Sequence, residues 1–589
     1  MKETSDQTRV ILAAALSLVV IVASSYFYKS SPQQQQPGSQ APASATATTG
    51  STSPSSATAP APVHVAPVVP VVAVHAAAGE TSVVVESPLY RVEIWNRGGV
   101  VRSWQLRKYQ DDSQPPQTLD LVHADTARQE DAWPLSVVLS DPQLEAEANS
   151  GFYEINAGKT AASGVLEAPA ELDMIWSDGH LAVTKHLKFG PDYIVEATVS
   201  VQKDGQPIPA GLAWRGGFGD LTVHAYRRGA LSETVFYSLA GKLSTIAVKS
   251  LGQPKQPQLR ANLPGPYDFA GIEDNFFAVA FLPPESPAGV VTPDLTLTDW
   301  ATNLDVQQDG KSASQAIGEM AAGTTGSGPS VFRIYVGPKS LDALKAVRPP
   351  LNDILNFGWF AAVSEPLFYA LRWVHGYVPD WGWAIVVLTI FINMLLYPLK
   401  AKGMRSAQKM QRVSPEIKAI QEKYKKYGMR DPRKQKMNEE MMALYSREGI
   451  NPLGSCWPML VQFPIWWAFY RMLAGTIDLR HAPWMLWHFA LLHDLSAPDP
   501  HYILPALYGV TAYLMQKMTP TPQVDPAQQR MMAIMPVMFS VFFIFYPSGL
   551  ALYIVASNLV GMAQQWYLNR TMPPPAKAGR SGKKLKAAT

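Results

Sequence analysis

The segment MMAIMPVMFSVFFIFYPSGLALYIVASNLVGMAQQWYL, residues 531–568, contains no acidic or basic side chain. It divides into two apolar stretches, 531–546 and 548–568, at the turn-forming sequence around Pro547. A helix rises about 1.5 Å per residue, so each stretch is of the order needed to cross the roughly 30 Å core of a bilayer. We therefore predict a tight antiparallel pair of transmembrane helices and a multi-pass α-helical membrane protein.

Three further apolar segments precede this pair, at 381–399, 456–476 and 502–518. A fourth apolar run lies within residues 1–29, where an uncharged stretch is bounded by Arg9 and Lys29. We interpret residues 1–29 as a membrane anchor, with a cleaved signal peptide as the alternative. The sequence thus predicts six spans, five of which form a helical core.

The region between the anchor and the core has two parts. Residues 30–80 are rich in Ser, Thr, Ala, Pro and Gln, a composition that favours a disordered linker. Residues 81–345 contain alternating apolar and polar segments, which predict strands and an all-β sandwich domain. The clearest such segments are SVVVES, YRVEIWN, GVVRSWQL, LAVTKHLKF, YIVEATVSVQ and SVFRIYVGP. Because no catalytic constellation is visible there, a structural or partner-binding domain is favoured over an enzyme.

Residues 351–376 combine apolar side chains at helical spacing with three charged residues and Pro366. This pattern predicts an amphipathic helix along the membrane surface, with a break or kink at the proline. The alternative is an ordinary helix that packs on the β-domain.

Positive charge predicts the orientation. Residues 400–450 contain fourteen Lys and Arg against six Asp and Glu, and the tail 569–589 is also basic. Cytoplasmic loops carry such an excess, so both termini are predicted in the cytoplasm and the β-domain in the periplasm. The segment 400–455 is rich in helix formers and predicts a cytoplasmic helical hairpin. The net charge of +3 is too small to indicate a DNA-binding protein.

The predicted core spans contain almost no ionisable side chains. Ion-coupled transporters usually need buried carboxylates, so a small-molecule transporter is the weaker alternative. The polar residues that remain are neutral and suit either a wet groove or hydrogen bonds between helices. They are Thr389, Asn393, Gln462, Gln516, Ser557, Asn558 and Gln564.

Catalytic and metal-dependent functions are not favoured. Ser548 follows Pro547 in a turn, as in some intramembrane proteases, but neither adjoining span contains a histidine to act as a base. The spacing of His481, His488, His493 and His501 matches no metal-binding motif, and Cys456 is the only cysteine. No phosphate-binding loop is present. We expect no enzyme activity, no metal and no cofactor.

Several long motifs resemble the YidC membrane protein insertases. The strongest are NPLGSCWPMLVQFPIWWAFYRML (451–473), DPHYILPALYGVTAYLMQKMTP (499–520) and FYPSGLALYIVASNLVGMAQQW (545–566), together with YPLKAKGMRSAQKM (397–410) and KMNEEMMALYSREGINPLG (436–454). The β-region resembles the family's periplasmic domain more weakly, through NRGGVV (96–101) and GPK (337–339). The arrangement matches the Gram-negative form with a large periplasmic domain.

The resemblance implies that the protein inserts newly made membrane proteins into the bacterial inner membrane and helps them to fold. It implies action alone or beside the Sec translocon and its accessory subunits, with the ribosome as a further possible partner, and without nucleotide hydrolysis. It also implies a polar groove that opens to the cytoplasm and the lipid bilayer.

The resemblance places client contacts at positions on three spans: Thr389, Asn393, Gln462, Phe463, Trp466, Tyr553 and Ile554. At the position of Asn393 the family usually has an arginine, and at that of Ile554 often an aromatic residue. Asparagine offers hydrogen-bond donors and acceptors but no charge. We therefore expect insertion here to depend less on attraction of acidic client segments.

Overall fold

The computed structural model describes residues 73–571. It leaves out 158–163, 221, 223–232, 249–260, 264–266, 286–294, 309–310, 325, 327, 356, 358–360, 428–430, 450–456, 487–488 and 520–525. The predicted anchor, most of the predicted linker and most of the basic tail lie outside these residues.

The β-domain contains three large sheets. The first is five-stranded, in the order β4 (Thr118–Asp120), β3 (Val100–Gln110), β2 (Tyr90–Trp95), β1 (Ser82–Glu86), β7 (Val165–Glu167). The second is ten-stranded, in the order β14 (Lys242–Ala247), β13 (Thr234–Leu239), β16 (Phe269–Glu273), β17 (Phe277–Leu282), β20 (Ser330–Pro338), β10 (Ile194–Lys203), β9 (Leu181–Phe189), β8 (Ala170–Ser177), β6 (Glu154–Ala157), with β11 (Gln206–Ile208) beside β10. The third is β15 (Ala261–Leu263), β18 (Leu295–Gln308), β19 (Lys311–Thr324), β12 (Gly211–Trp214), β5 (Ser136–Val138).

The three sheets share one apolar core. It includes Trp104 of the first sheet, Phe189 of the second and Trp214 of the third, and Trp104 contacts both of the other rings. Most strands pair antiparallel; β1 and β7 are parallel. Inward side chains alternate with outward ones along β9 and β10, as expected for strands with one face on a core.

All six segments that the sequence analysis quotes are strands, which confirms a β-rich domain. The described part of the domain also contains short helices that the pattern did not indicate, namely α1 (Ala124–Glu130), α2 (Pro142–Ser150) and α3 (Leu341–Ala346). The long hairpin of β18 and β19 was not predicted either. Apolar and polar residues alternate only over short parts of it, such as Leu295–Thr298, and the rest is mostly polar, Ala or Gly, so its strand pattern is weak.

The end of the predicted linker is ordered, contrary to the prediction of a disordered segment up to residue 80. His75 forms an isolated antiparallel bridge with Ser177, and the amide of Ala77 donates to the carbonyl of Phe152 at 2.9 Å. The Asn96 side chain donates to the carbonyl of Gly79. These hydrogen bonds stabilise an ordered conformation of residues 75–79, which amino-acid composition alone does not indicate.

The described residues from 361 to 571 are mainly helical and include one short β-hairpin. Its helices are α4 (Ala361–His375), α5 (Trp381–Leu395), α6 (Tyr397–Arg412), α7 (Ser414–Lys423), α8 (Pro432–Arg447), α9 (Trp457–Gly475), α10 (Ile503–Met518), α11 (Pro526–Phe542) and α12 (Ser548–Thr571). Among the described residues, short 3-10 helices lie at Asn352–Ile354, Ile477–Leu479 and Phe543–Phe545. The hairpin pairs β21 (Trp484–Leu486) with β22 (Phe489–Leu492).

The single helix predicted over 351–376 is wrong in its first part. Leu351 and Ile354 are fully buried in the apolar cluster under the β-domain, in and beside a 3-10 turn, and α4 begins only at Ala361. Pro366 lies inside α4 and does not end it. A spacing of three residues fits a turn that packs on a sheet as well as it fits an α-helix, so the pattern could not separate the two.

The predicted hairpin contains α7 and α8, whose Ile417 and Leu444 share one apolar cluster with Met410 of α6 and with Val413, between α6 and α7. Asp431 caps α8 by accepting from the amide of Arg433, and Pro432 occupies its first turn. Two ion pairs, Lys423 with Glu440 and Arg447 with Glu416, each at 2.7 Å, join the helices on their exposed sides.

By length and composition, none of the single described helices is long and apolar enough to cross a membrane. The pair formed by α5 and the 397–410 part of α6 meets these criteria together, across a bend of 53°. The described residues thus contain a helical region, while the count of six spans stays a prediction.

Candidate functional site

The seven predicted groove residues lie on three helices. Thr389 and Asn393 are on α5; Gln462, Phe463 and Trp466 are on α9; Tyr553 and Ile554 are on α12. Because α12 packs against both α5 and α9, it connects the two other contributions.

The α5 contribution is a buried polar pair. Thr389 and Asn393 are four residues apart and lie on one face of the helix. The Thr389 hydroxyl donates to the carbonyl of Ile385 at 2.6 Å, and the Asn393 amide donates to the carbonyl of Thr389 at 2.8 Å. Both side chains therefore bond to their own helix first, and the Asn393 Oδ1 atom stays available as an acceptor.

The α12 helix adds two polar side chains to this pair. The Ser557 hydroxyl donates to Asn393 Oδ1 at 3.3 Å, and the Gln564 amide donates to the Asn393 backbone carbonyl at 2.9 Å. The sequence analysis noted both residues only as neutral polar groups. Their contact with Asn393 could not be read from spacing, because they lie more than 160 positions away along the chain.

A cation joins the same cluster. The Lys400 ammonium donates to Asn393 Oδ1 at 2.5 Å. Lys400 lies in the first turn of α6, on the other side of the bend, and its side chain is half-buried. From Asn393 alone, no charge is expected at this position. The structure corrects this expectation, because the Lys400 ammonium reaches Asn393 from the next helix.

The α9 contribution meets α12 at Tyr553. The Gln462 amide donates to the Tyr553 hydroxyl at 2.9 Å, and the Tyr553 ring stacks on Phe469 with a centroid distance of 4.0 Å. Tyr553 and Ser557 are one turn apart on α12, so the aromatic contact and the polar cluster occupy the same face of that helix.

An aromatic row extends from α9 to the surface. The Phe463 side chain is 54% exposed, and its ring centroid lies 6.2 Å from that of Trp466. The Trp466 ring contacts Trp467, which in turn contacts Tyr470. Phe463 is the exposed member of this row, whereas Trp466, Trp467 and Tyr470 are half-buried, so the row reaches the surface at Phe463. Ile554 instead packs, half-buried, against the apolar core of the helices.

The arrangement therefore consists of a polar, singly charged cluster on α5, α6 and α12, beside an aromatic face on α9. A polar segment of another chain could hydrogen-bond with the cluster, while its apolar part contacts the aromatic row.

A second group of polar side chains lies between the β-domain and the loop after α9. Asp112, His481 and Asp494 place one potential ligand atom each within 4.8 Å of one another. However, His481 Nε2 is 2.8 Å from Asp112 Oδ1, and Asp494 Oδ1 accepts from Ser496 and Ala497. Arg480 lies 3.6 Å from Asp112. Protein contacts account for these groups, and the neighbouring guanidinium opposes a metal cation.

Ser548, in the turn that superficially resembles a protease motif, starts α12. Its hydroxyl donates to the carbonyl of Asp494 at 2.8 Å, and its amide donates to the carbonyl of Ala497. The side chain is fully buried and holds the helix end against the preceding loop.

Two family models match the chain. The model of the 60Kd inner membrane protein matches residues 373–576, and the model of the YidC periplasmic domain matches residues 82–370. Together they cover nearly all of the β-domain and most of the helical region, including the seven predicted groove residues.

Solved structures are also similar, at low identity. An active YidC insertase with its first transmembrane domain resolved is 16% identical, with 85% of this chain and 95% of that chain covered and a TM-score of 0.34. YidC from Thermotoga maritima is 13% identical, with 82% and 98% covered and a TM-score of 0.28. A putative aldose 1-epimerase from Escherichia coli K12 is 14% identical over 44% of this chain and 99% of its own, at 0.26.

The assignment rests on the two family models, which match adjacent parts of the chain in the order that the motifs predict. The chain belongs to the YidC family of membrane protein insertases, in the form with a periplasmic domain.

Proposed function

We propose that this protein inserts newly made membrane proteins through the polar cluster around Asn393, with the aromatic row of α9 as the guiding surface. Family membership supports an insertase role in the bacterial inner membrane. The mechanism is passive: the apolar segment of the client partitions into lipid, which supplies the free energy without nucleotide hydrolysis.

One observation carries the proposal most directly. Five polar side chains from three helices meet in a region that is otherwise lined by apolar residues, namely Thr389, Asn393, Lys400, Ser557 and Gln564. Burial of such groups costs free energy unless they are hydrogen-bonded. A hydrogen-bonding surface at membrane depth lowers the cost for a polar client segment that crosses there.

The remaining features follow from this role. The proposal includes six spans, with both termini in the cytoplasm. It also includes contact with the Sec translocon or the ribosome through the basic hairpin α7–α8. Catalysis is not among them, since Ser548 serves to anchor α12. The periplasmic domain holds the outer ends of the helices; for example, the Asn275 amide donates to the carbonyl of Ala474 at the end of α9.

Photo-crosslinking tests the groove. A photoreactive amino acid at position 466 should label a stalled two-span client, because this side chain lies in the aromatic row. The same substitution at the exposed Trp373 of α4 is the matched control and should label the client far less. Absence of labelling from both position 466 and position 554 would contradict the proposed client path.

Reconstitution tests the activity itself. Purified protein in liposomes should make the translocated loop of a small two-span client resistant to external protease. If the loop stays fully digestible at every protein density, autonomous insertion is refuted.

A further inference from the structure

The chain that leaves the outer end of α9 is embedded in the β-domain. Ile477 lies two positions after Gly475, the last residue of α9, and its side chain belongs to the apolar core of the three sheets. Leu479, two positions further on, belongs instead to the apolar core of the helices. The 3-10 turn Ile477–Leu479 therefore joins the two cores directly behind the helix that carries the aromatic row.

A turn of the β-domain also caps α9. The side-chain amide of Asn275, between β16 and β17, donates to the carbonyl of Ala474. The last carbonyls of a helix have no partner within the helix, so this donor satisfies one of them at the negative end of the helix dipole. The Asp274 carboxylate fixes the turn, because it accepts from the amides of Phe276 and Phe277 at 2.7 and 2.6 Å.

The outer ends of the neighbouring helices have other partners. The start of α12 bonds to the loop before α10 through Ser548. Asp380 caps α5 by accepting from the amide of Trp383, and it also accepts from the amide of Met485 in β21. These partners belong to the helical region itself. The described contacts thus connect α9 to the β-domain more directly than they connect α5 or α12 to it.

The contacts between α9 and α12 converge on one ring. Gln462 and Phe469 are seven positions apart, which places them about two turns apart on one face of α9, and both contact Tyr553. Such a contact determines where the two helices meet, but the tilt of α9 depends on further contacts. The helix α4 also packs on α9, and its Arg372 pairs with Asp342 of the β-domain.

We infer that Asn275 and Ile477 are positioning residues of the groove. Through them the β-domain sets the tilt of α9, and thereby the separation of the aromatic row from α12. Both residues act through α9 and the turn that follows it, rather than by touching a client. The effect on clients rests on the proposed insertase function, to which the inference adds a part for the β-domain.

A distance measurement without client tests the tilt. Spin labels at positions 463 and 559, exposed on α9 and α12, report the separation of these helices after Cys456→Ser removes the only native cysteine. The isosteric change Asn275→Asp removes the donor and directs a carboxylate at the negative end of α9. It should at least double the width of the label-distance distribution. Ile477→Ala, which leaves part of the β-domain core unfilled, should do the same.

Two matched variants control for charge and for volume. Gln202→Glu makes the same amide-to-carboxylate change at an exposed position of β10, and Ile477→Val keeps most of the apolar side chain. Both should leave the distance distribution as in the native protein. The thermal unfolding midpoint of Asn275→Asp should equal that of Gln202→Glu, which shows that the wider distribution does not come from loss of the fold.

Client labelling measures the consequence for the groove. With a photoreactive amino acid at position 466 of α9, Asn275→Asp should label a stalled two-span client at least threefold less than the native protein. With the same amino acid at position 554 of α12, the yield should not change. A general folding defect would lower both yields, so the ratio of the two separates a tilt of α9 from a loss of structure.

The outcomes separate this inference from the proposed function. Wider distances together with a selective loss of labelling at position 466 support it. Native distances in both Asn275→Asp and Ile477→Ala refute the positioning role, whatever the labelling. Wider distances with an unchanged labelling ratio refute its importance for clients. If the native protein labels the client from neither position, the proposed client path is contradicted, while the distances still decide whether the β-domain sets the tilt of α9.

Discussion

Arg480, in the loop after α9, forms an ion pair with Asp220 of the β-domain, and both side chains are only 1% exposed. The same guanidinium lies over the rings of Phe276 and Phe277 and within 3.6 Å of Asp112. A buried pair of this kind contributes little relative to a well-packed apolar pair, but loss of one partner leaves an uncompensated charge.

Arg480→Met should therefore destabilise the protein by about 3–5 kcal/mol, because Asp220 would stay buried without its cation. The effect is measured by thermal unfolding of the detergent-solubilised protein, with the protease resistance of the β-domain as the signal. Arg447→Met is the matched control. Its side chain is 63% exposed in the pair with Glu416, so a much smaller loss of stability is expected. Equal effects of the two variants would show that the Arg480 contact is not important for stability.

Lys185 joins separate parts of the β-domain. Its fully buried ammonium donates to the carbonyls of Gly98, Gly99 and Leu135 at 2.8–2.9 Å. Lys185→Met should lower the free energy of unfolding by about 3 kcal/mol or more, since three buried carbonyls would lose their donor. Urea unfolding monitored by tryptophan fluorescence gives the value.

The control for Lys185 lies on the same strand. Lys188 of β9 is 46% exposed and pairs with Glu196, so Lys188→Met should change stability by no more than about 0.5 kcal/mol. A Lys185→Met variant as stable as Lys188→Met would show that water replaces the lost donor.

His123 should make stability fall in acid. Burial lowers the pKa of His123 to about 4, below its ordinary 6.5, although the nearby Asp220 opposes the shift. The unfolded chain then binds more protons between these two values, so stability present above pH 6.5 is lost progressively as the pH falls towards 4. The loss is on the order of 3 kcal/mol. His123→Gln, which keeps a donor for the Gly219 carbonyl, should flatten this part of the curve.

The titration of Glu233 changes stability in the opposite direction with pH, so its effect must be separated from that of His123. Burial raises the pKa of Glu233 to about 7, so its effect favours folding below pH 4.5 and is lost as the pH rises through 7. The Glu233→Gln variant is compared with the double variant that also carries His123→Gln. The difference between their stability curves is the effect of the histidine. If the two curves are parallel from pH 7 to pH 4, the assigned pKa of His123 is wrong.

Local patterns predicted much of the fold. Alternation identified strands such as β9 and β10, and the helix-forming composition of 400–455 indicated the helices α7 and α8. Patterns failed where the deciding contact is distant. Leu351 and Ile354 have helical spacing, yet they pack under a sheet that is formed by residues far away in sequence.

The candidate site shows the same limit. The contact between Thr389 and Asn393 could be predicted from their spacing on one helix. The contact between Gln462 and Tyr553 could not, because 91 positions separate these residues. Lys400 was counted with the cytoplasmic charges, since its seven-residue distance from Asn393 gives no contact on a straight helix. Only the bend brings the two side chains together.

Because of that bend, the polar cluster around Asn393 is built from two helix segments of different direction rather than one. Asn393 moves with α5, whereas the ammonium that it holds moves with α6, which continues towards the hairpin of α7 and α8. Any change in the angle between α5 and α6 lengthens or shortens the bond between Lys400 and Asn393. A change at the hairpin that alters this angle would therefore shift the Lys400 ammonium relative to Asn393.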